Sequence, residues 1–162
     1  DPGTAVLGFG VVGRRKHQLV AIDHGVFRPP KSLDVGGRLV FLNGALGRLL
    51  DHHRPDLLSL EEAFVHKNVQ SALRIGEARA VVLLAAAGRD IPVLQYPTAT
   101  AKKSVCGHGG ATKELVQEMV QRQLGLDALP TPHDAADGLA LALCLLADPR
   151  IDPRFAAASG SA

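Results

Sequence analysis

The sequence predicts an α/β domain built on a mixed sheet. Three observations predict it. β-type runs crowd the first third of the chain, with connections so short that neighbouring strands must pair antiparallel. The rest alternates short apolar runs with longer segments of helical period. The composition, 46% hydrophobic and 21% charged over 162 residues, is that of one folded domain rather than a disordered chain.

Residues 6–12 are rich in Gly and Val and read as a strand leaving through Gly13-Arg14-Arg15-Lys16. A second β-like run covers 18–22, and a third apolar stretch ends near Phe27, ahead of Pro29-Pro30. Residues 38–52 carry Leu39, Leu42, Leu46, Leu49 and Leu50 at helical spacing, entered after Asp34 and broken by Arg54-Pro55-Asp56. The run 57–60 is a short buried strand, of the kind found in parallel sheets, leaving through Glu61-Glu62. Residues 63–67 form a loop, and Asn68 caps a helix that reaches Ala87 and stops at Gly88. A strand over 91–95, a short helix over 98–106 and a glycine-rich turn at Gly107-His108-Gly109-Gly110 follow. Helices over 112–124 and 132–146 complete the domain, set at residues 1–148, and residues 149–162 form a flexible Ala/Ser/Gly-rich tail.

The overall charge excludes little. Eighteen basic against sixteen acidic residues leave +2, so any nucleic-acid surface must come from local clustering. Two cysteines, Cys106 and Cys144, make no disulfide framework and suit a reduced, cytoplasmic protein. The longest apolar runs, 80–87 and 139–147, are too short for a membrane span, and no secretory signal is visible. The chain opens at Asp1-Pro2-Gly3-Thr4 without an initiating Met, so either it is processed or its first residues lie outside this sequence.

Four acids stand out. Asp134 and Asp137, three apart on the last helix, share a face. Ala135, Ala136, Gly138, Ala140 and Ala142 around them let that helix lie close to a sheet. Gly138 costs a helix interior about 1 kcal/mol against Ala, which close packing or a crowded site would explain. Asp134 also has a plain structural reading: Thr131-Pro132-His133-Asp134 resembles a capping box, and an acid in the first turn suits the helix dipole. Asp137 has no such reading beyond that of a solvated acid. Glu61 and Glu62 leave a buried strand, where α/β proteins place ligand sites, or else are merely a charged strand exit. Asp1 opens a tight turn. Hard oxygen ligands of this kind suit Mg²⁺, and a metal pair can serve both the attacking and the leaving oxygen of a phosphodiester. Spacing alone does not bring these four residues together.

The chain resembles the RuvC family, the bacterial Holliday-junction resolvases, over nearly its whole length to residue 148. The resemblance is carried by Asp1-Pro2-Gly3-Thr4 with Gly8-Phe9-Gly10-Val11-Val12, by Leu60-Glu61-Glu62-Ala63-Phe64, by residues 67–79, and by residues 134–142, in that order. It implies an RNase H-like fold, a five-stranded mixed sheet flanked by helices, whose first and fourth strands are parallel neighbours. It implies an apolar strand before Asp1. It also implies that Asp1, Glu61, Asp134 and Asp137 are catalytic, metal-holding acids for two Mg²⁺ ions, with Mn²⁺ as a substitute, and that Glu62 is an outer candidate. The implied activity is a homodimer making symmetric nicks in a four-way DNA junction, alongside a branch-migration motor.

The resemblance also places DNA contacts at Lys102 and Lys113, with Lys103 adding charge, and at Phe64, an aromatic in a polar loop suited to stack on an unpaired base. The plain alternatives are solvated lysines and a loop Phe tucked into the core. Arg74 and Arg79 rank below these as phosphate or dimer contacts. His133 is either a first-turn polar residue or a helper of the site. His52-His53 and Cys106-Gly107-His108 lack metal-ligand spacing, and Cys144 is a core residue. Asp1-Pro2-Gly3-Thr4 also resembles the phosphate loop of actin-like and sugar-kinase-like ATPases, which the length excludes for want of a second lobe. The resolvase-like YqgF group, RNA-directed, shares the Asp-x-Gly opening, but residues 67–79 and the Asp134–Asp137 pair favour RuvC. A catalytically inactive junction binder with this fold is the remaining alternative; clustered acids argue against it, since they repel DNA unless a metal neutralises them.

Overall fold

The computed structural model describes residues 2–16, 18–62 and 69–151. The expected loop at 63–67, the Asn68 cap, Asp1, Phe64 and most of the tail lie outside the described residues. β1 (Leu7–Arg15) and β2 (Gln18–Phe27) form an antiparallel hairpin, in register from Leu7↔Phe27 to Arg15↔Gln18 with an irregularity between Val11 and Val12. Gly13, Arg14 and Arg15 belong to the strand rather than to its exit, and Lys16 turns the chain with a φ of 54°. The break expected after residue 22 is absent. β2 continues through Asp23 because that carboxylate takes a 3.0 Å hydrogen bond from His53 Nε2, and Phe27 stacks on Phe9 across the hairpin.

α1 (Val35–His53) starts ahead of the expected residue 38. Asp34 caps it, accepting from the Gly37 N–H at 2.7 Å, so the first turn absorbs two glycines. β3 (Leu58–Glu61) pairs parallel with β4 (Val93–Tyr96), from Leu58↔Val93 to Glu61↔Tyr96, and α2 (Val69–Ala87) supplies the crossover. α3 (Thr98–Cys106), α4 (Lys113–Leu124) and α5 (His133–Leu146) follow. Thr112 caps α4 by accepting from the Leu115 N–H, and Gly107 and Gly125 end α3 and α4 in left-handed conformations.

Among the described residues there are four strands in two separate two-stranded ladders; the fifth strand of the expected sheet is not among them. β1 and β3 both line an apolar cavity of about 360 Å³ between the ladders, walled by Leu46 and Leu50 of α1 and Leu141 and Leu145 of α5.

Helices cover both faces. On one side Leu42, Leu46 and Leu50 of α1 and Val81, Val82 and Ala85 of α2 close a core with Leu7 and Leu60. On the other, Val105, Val116, Val120, Leu139 and Leu143 pack with Val12, Leu19 and Ala21. Cys144, expected in the core, lies there with Tyr96 and Leu141. Among the described residues no helix is long and apolar enough to cross a membrane.

α5 lies on β1 almost backbone to backbone, as its small residues suggest. A Cβ added to Gly138 would sit 2.6 Å from the Phe9 carbonyl carbon, and one added to Gly8 only 2.0 Å from the Asp134 carbonyl oxygen. This close approach explains Gly138 and seats the start of α5 against the start of β1.

A candidate active site at the ends of β3 and α5

Glu61 is the last residue of β3. The parallel register pairs it with Tyr96, and the Glu62 N–H extends the ladder by one bond to the Tyr96 carbonyl at 2.8 Å. Both strands therefore finish together, and α3 begins two residues after Tyr96, behind Pro97. The Glu61 carboxylate meets the first residue of that helix: Thr98 Oγ1 donates a hydrogen bond to Glu61 Oε1.

Asp137 comes to the same place from α5. It shares a cavity of about 180 Å³ with Glu61, Thr98, Lys102 and Lys113, over a floor of Ala101, Val116, Ala140 and Leu141. Burial pushes the Asp137 carboxyl above the ordinary carboxylate range; the Glu61 charge adds to that rise, and Lys113 and Lys102 oppose it. Two carboxylates and two ammonium groups thus meet in one cleft at the carboxyl end of a parallel pair, where α/β sheets place their ligands.

Lys102 and Lys113 differ in freedom. Lys102 is half-buried, and its Nζ donates to the Ala111 carbonyl at 2.6 Å, which ties α3 to the turn before α4. Lys113, the first residue of α4, is exposed. Lys103 is exposed and does not line the cleft.

Asp134 is half-buried in the first turn of α5 but does not line the cleft. The capping-box reading of this turn does not hold. The N-cap is Pro132, not Thr131, and no side chain caps the helix. Asp134 is thus left without a capping role, though its place near the dipole's positive end still suits an acid. His133 is part-exposed, with Nε2 4.0 Å from a Glu114 carboxylate oxygen. The Glu114 carboxyl is held below its ordinary range by the backbone N–H and Thr112 hydroxyl at the start of α4.

The structure brings together Glu61, Asp137, Lys102 and Lys113. Of the other three residues expected at the site, Asp134 does not line the cleft, and Asp1 and Phe64 lie outside the described residues. Glu62 is exposed and engages the ladder through its backbone. Arg79 bonds the Gln95 side chain, and Arg74 is exposed on α2. Among the described residues no three His, Cys, Asp or Glu side chains lie close enough to hold a metal together. Thr98 was not singled out from the sequence, whose only hint was a Thr just after a Pro at a strand-to-helix junction.

Comparison with known proteins agrees with this architecture. Residues 1–145 match the family model "Crossover junction endodeoxyribonuclease RuvC". A protein of that name from Protochlamydia amoebophila is 46% identical over 144 residues, covering 89% of this chain and 86% of its own length. One from Thermomicrobium roseum is 48% identical, covering 89% of this chain and 88% of its own. Among solved structures, Thermus thermophilus RuvC in complex with a Holliday junction substrate superimposes with a TM-score of 0.82 at 32% identity, over 89% of this chain and 88% of that one.

Proposed function

The chain belongs to the RuvC family of crossover junction endodeoxyribonucleases, and from that premise we infer that it resolves Holliday junctions by cutting DNA strands at the cleft between β3 and α5. It is an endonuclease with an RNase H-like fold. The observation that carries the reading is the convergence of Glu61, Asp137, Lys102 and Lys113 in one cavity.

The donor chemistry fits a divalent cation. Both carboxylates offer hard oxygens, and they line one cavity. We assign Glu61 and Asp137, with Asp134 and Asp1, as the residues that would hold Mg²⁺ or Mn²⁺, two ions per site. When bound, such ions supply Lewis-acid activation of water and neutralise charge on the leaving oxygen. The chain's own residues do the rest. Lys113, exposed at the rim, draws the phosphodiester in. Lys102, anchored to Ala111, presents a fixed positive charge to the phosphate as negative charge grows on it. The apolar floor limits the water around the reacting groups. Phe64 is assigned to stack on a base at the junction centre, on family resemblance alone.

We further propose a homodimer, so that two cuts match a two-fold junction. α2 supports it. Its exposed side carries Leu73, Gly76, Ala80, Leu83 and Ala87 at alternating three- and four-residue spacing, with Leu84 beside Leu83, while Ala78, Val81, Val82, Ala85 and Ala86 are buried on its other side. A helix apolar on both faces is one with a second partner. The five-stranded sheet needs one more strand between β1 and β3, and the apolar cavity lined by both supports that place for it. Residues 1–148 are then a single nuclease domain, with residues 149–162 as its tail. The cytoplasm, with reduced Cys106 and Cys144, suits a partner of a branch-migration motor on DNA.

The test is nicking of a synthetic four-way junction in Mg²⁺. Glu61→Gln and Asp137→Asn should each lower the cutting rate at least about 100-fold while junction binding, followed by gel shift in Ca²⁺, stays within a few-fold of the parent. Cutting retained in both variants would remove the site from the reading.

A further inference from the structure

Glu61 stands at the end of a four-residue strand, and a glutamate side chain has enough rotatable bonds to lose much rotamer entropy when ordered. Something must hold it if it is to act at a fixed point. The neighbours that could do so are few. Glu62 uses its backbone, Lys102 is committed to the Ala111 carbonyl, and Lys113 is exposed on another helix. Among the described residues, the Thr98 hydroxyl hydrogen-bonds it.

The contact follows from topology. The parallel register sets Glu61 beside Tyr96, and Pro97 turns the chain so that Thr98 is the first residue of α3. Pro97 offers no side-chain cap, so the opening turn of α3 faces the strand end uncovered by its own flank. The Thr98 hydroxyl, fixed on this turn, donates to Glu61 Oε1 and lines the same cavity as Asp137. The hydroxyl takes up only one lone pair of the carboxylate, which leaves Oε2 and the second lone pair of Oε1 for other partners.

We propose that Thr98 is a positioning residue that holds the Glu61 carboxylate in its metal-binding orientation. This rests on the assignment of Glu61 as a metal-holding acid. Hydrogen bonds that orient a ligating carboxylate commonly alter metal affinity 10- to 100-fold when removed. Thr98 is exposed, so the lower end of that range applies.

The experiment measures Mn²⁺ binding by calorimetry on the full chain without DNA, in four proteins: the parent, Thr98→Val, Thr98→Ser and Glu61→Gln, with thermal melting as the folding control. Val keeps the branched shape and deletes the donor; Ser keeps the donor. The expected result is a loss of about 10-fold in Mn²⁺ affinity for Thr98→Val, affinity within about 2-fold of the parent for Thr98→Ser, and a larger loss for Glu61→Gln. If Thr98→Val binds as tightly as the parent while Glu61→Gln does not, the positioning role is wrong and the metal site stands. If Glu61→Gln also binds as the parent does, the metal assignment of Glu61 fails and the role of Thr98 fails with it. If Thr98→Ser loses as much as Thr98→Val, keeping the donor does not keep the affinity, and the proposal is overturned.

Discussion

Replacing Gly138 by Ala sets two effects of opposite sign against each other. In an unpacked helix the change is worth about 1 kcal/mol of added stability. Here the new Cβ would lie 2.6 Å from the Phe9 carbonyl carbon and 2.8 Å from both the Phe9 Cα and the Gly10 nitrogen. All three are backbone atoms of β1, so no rotamer change relieves the contact. To reach ordinary van der Waals distance, α5 must lift from β1 by about 0.8 Å. Overpacking of this kind costs about 1–3 kcal/mol, and α5 is the helix shared by two of the three core clusters, so a lift disturbs both. Three backbone atoms in contact at once place the cost at about 2–3 kcal/mol, so the clash should outweigh propensity for a net loss of about 1–2 kcal/mol. Asp137 is the neighbouring residue, and misplacement of a reacting group by about 1 Å can cost 100-fold in rate. Urea melting and junction nicking should therefore both fall. The internal control is Gly44→Ala in α1, whose Cβ would meet nothing nearer than the mobile tip of Arg48 at 3.5 Å; that variant should gain close to 1 kcal/mol. A Gly138→Ala protein as stable as its parent would refute the close approach of α5 to β1.

The Asp137 carboxyl sits above its unfolded value of 3.8, chiefly through burial, so its contribution to stability is present at low pH and is lost as pH rises through the raised value. Asp137→Asn should then melt higher than the parent at neutral pH in chelator, with the gap closing below pH 3.8; a gap that widens on acidification would reverse the assigned cause. Leu84, 71% exposed on α2, belongs to the proposed dimer contact, and Leu84→Arg should give a folded monomer by light scattering where the parent is a dimer, and lower paired cutting of junctions. A Leu84→Arg protein that stays dimeric would move the interface elsewhere.

Much of this was legible in the sequence, for reasons that differ by element. α3 begins and ends where expected because Pro97 and Gly107 punctuate it chemically. β2 runs longer than its pattern suggests because Asp23, a polar interruption in the sequence, is satisfied by His53 across 30 residues. Gly138 announced a close approach, but its counterparts Gly8 and Gly10 lie on a strand at the other end of the chain. Asp134 looked like part of a capping box because Thr131-Pro132 has the right letters; the helix instead starts at His133 behind Pro132, without a side-chain cap. Thr98 was invisible for a related reason. It lies 37 residues from Glu61, and only the parallel register of β3 and β4 brings the two together.

The charge balance gains meaning at the cleft. A chain of net charge +2 says nothing about DNA as a sum. At the cleft, two carboxylates face two lysines, which is formally neutral. If that neutrality were sufficient, the lysines would hold the Asp137 carboxyl at or below its ordinary range. They do not: burial, helped by Glu61, outweighs both of them and the carboxyl stays raised. Lys102 is spent partly on Ala111, and Lys113 stands in solvent where its field is screened. The lysines are thus better placed to meet a phosphate than to compensate the acids. Hard divalent cations match the oxygens of the two acids. Bound there, they would turn a formally neutral cleft into a positively charged one that attracts DNA.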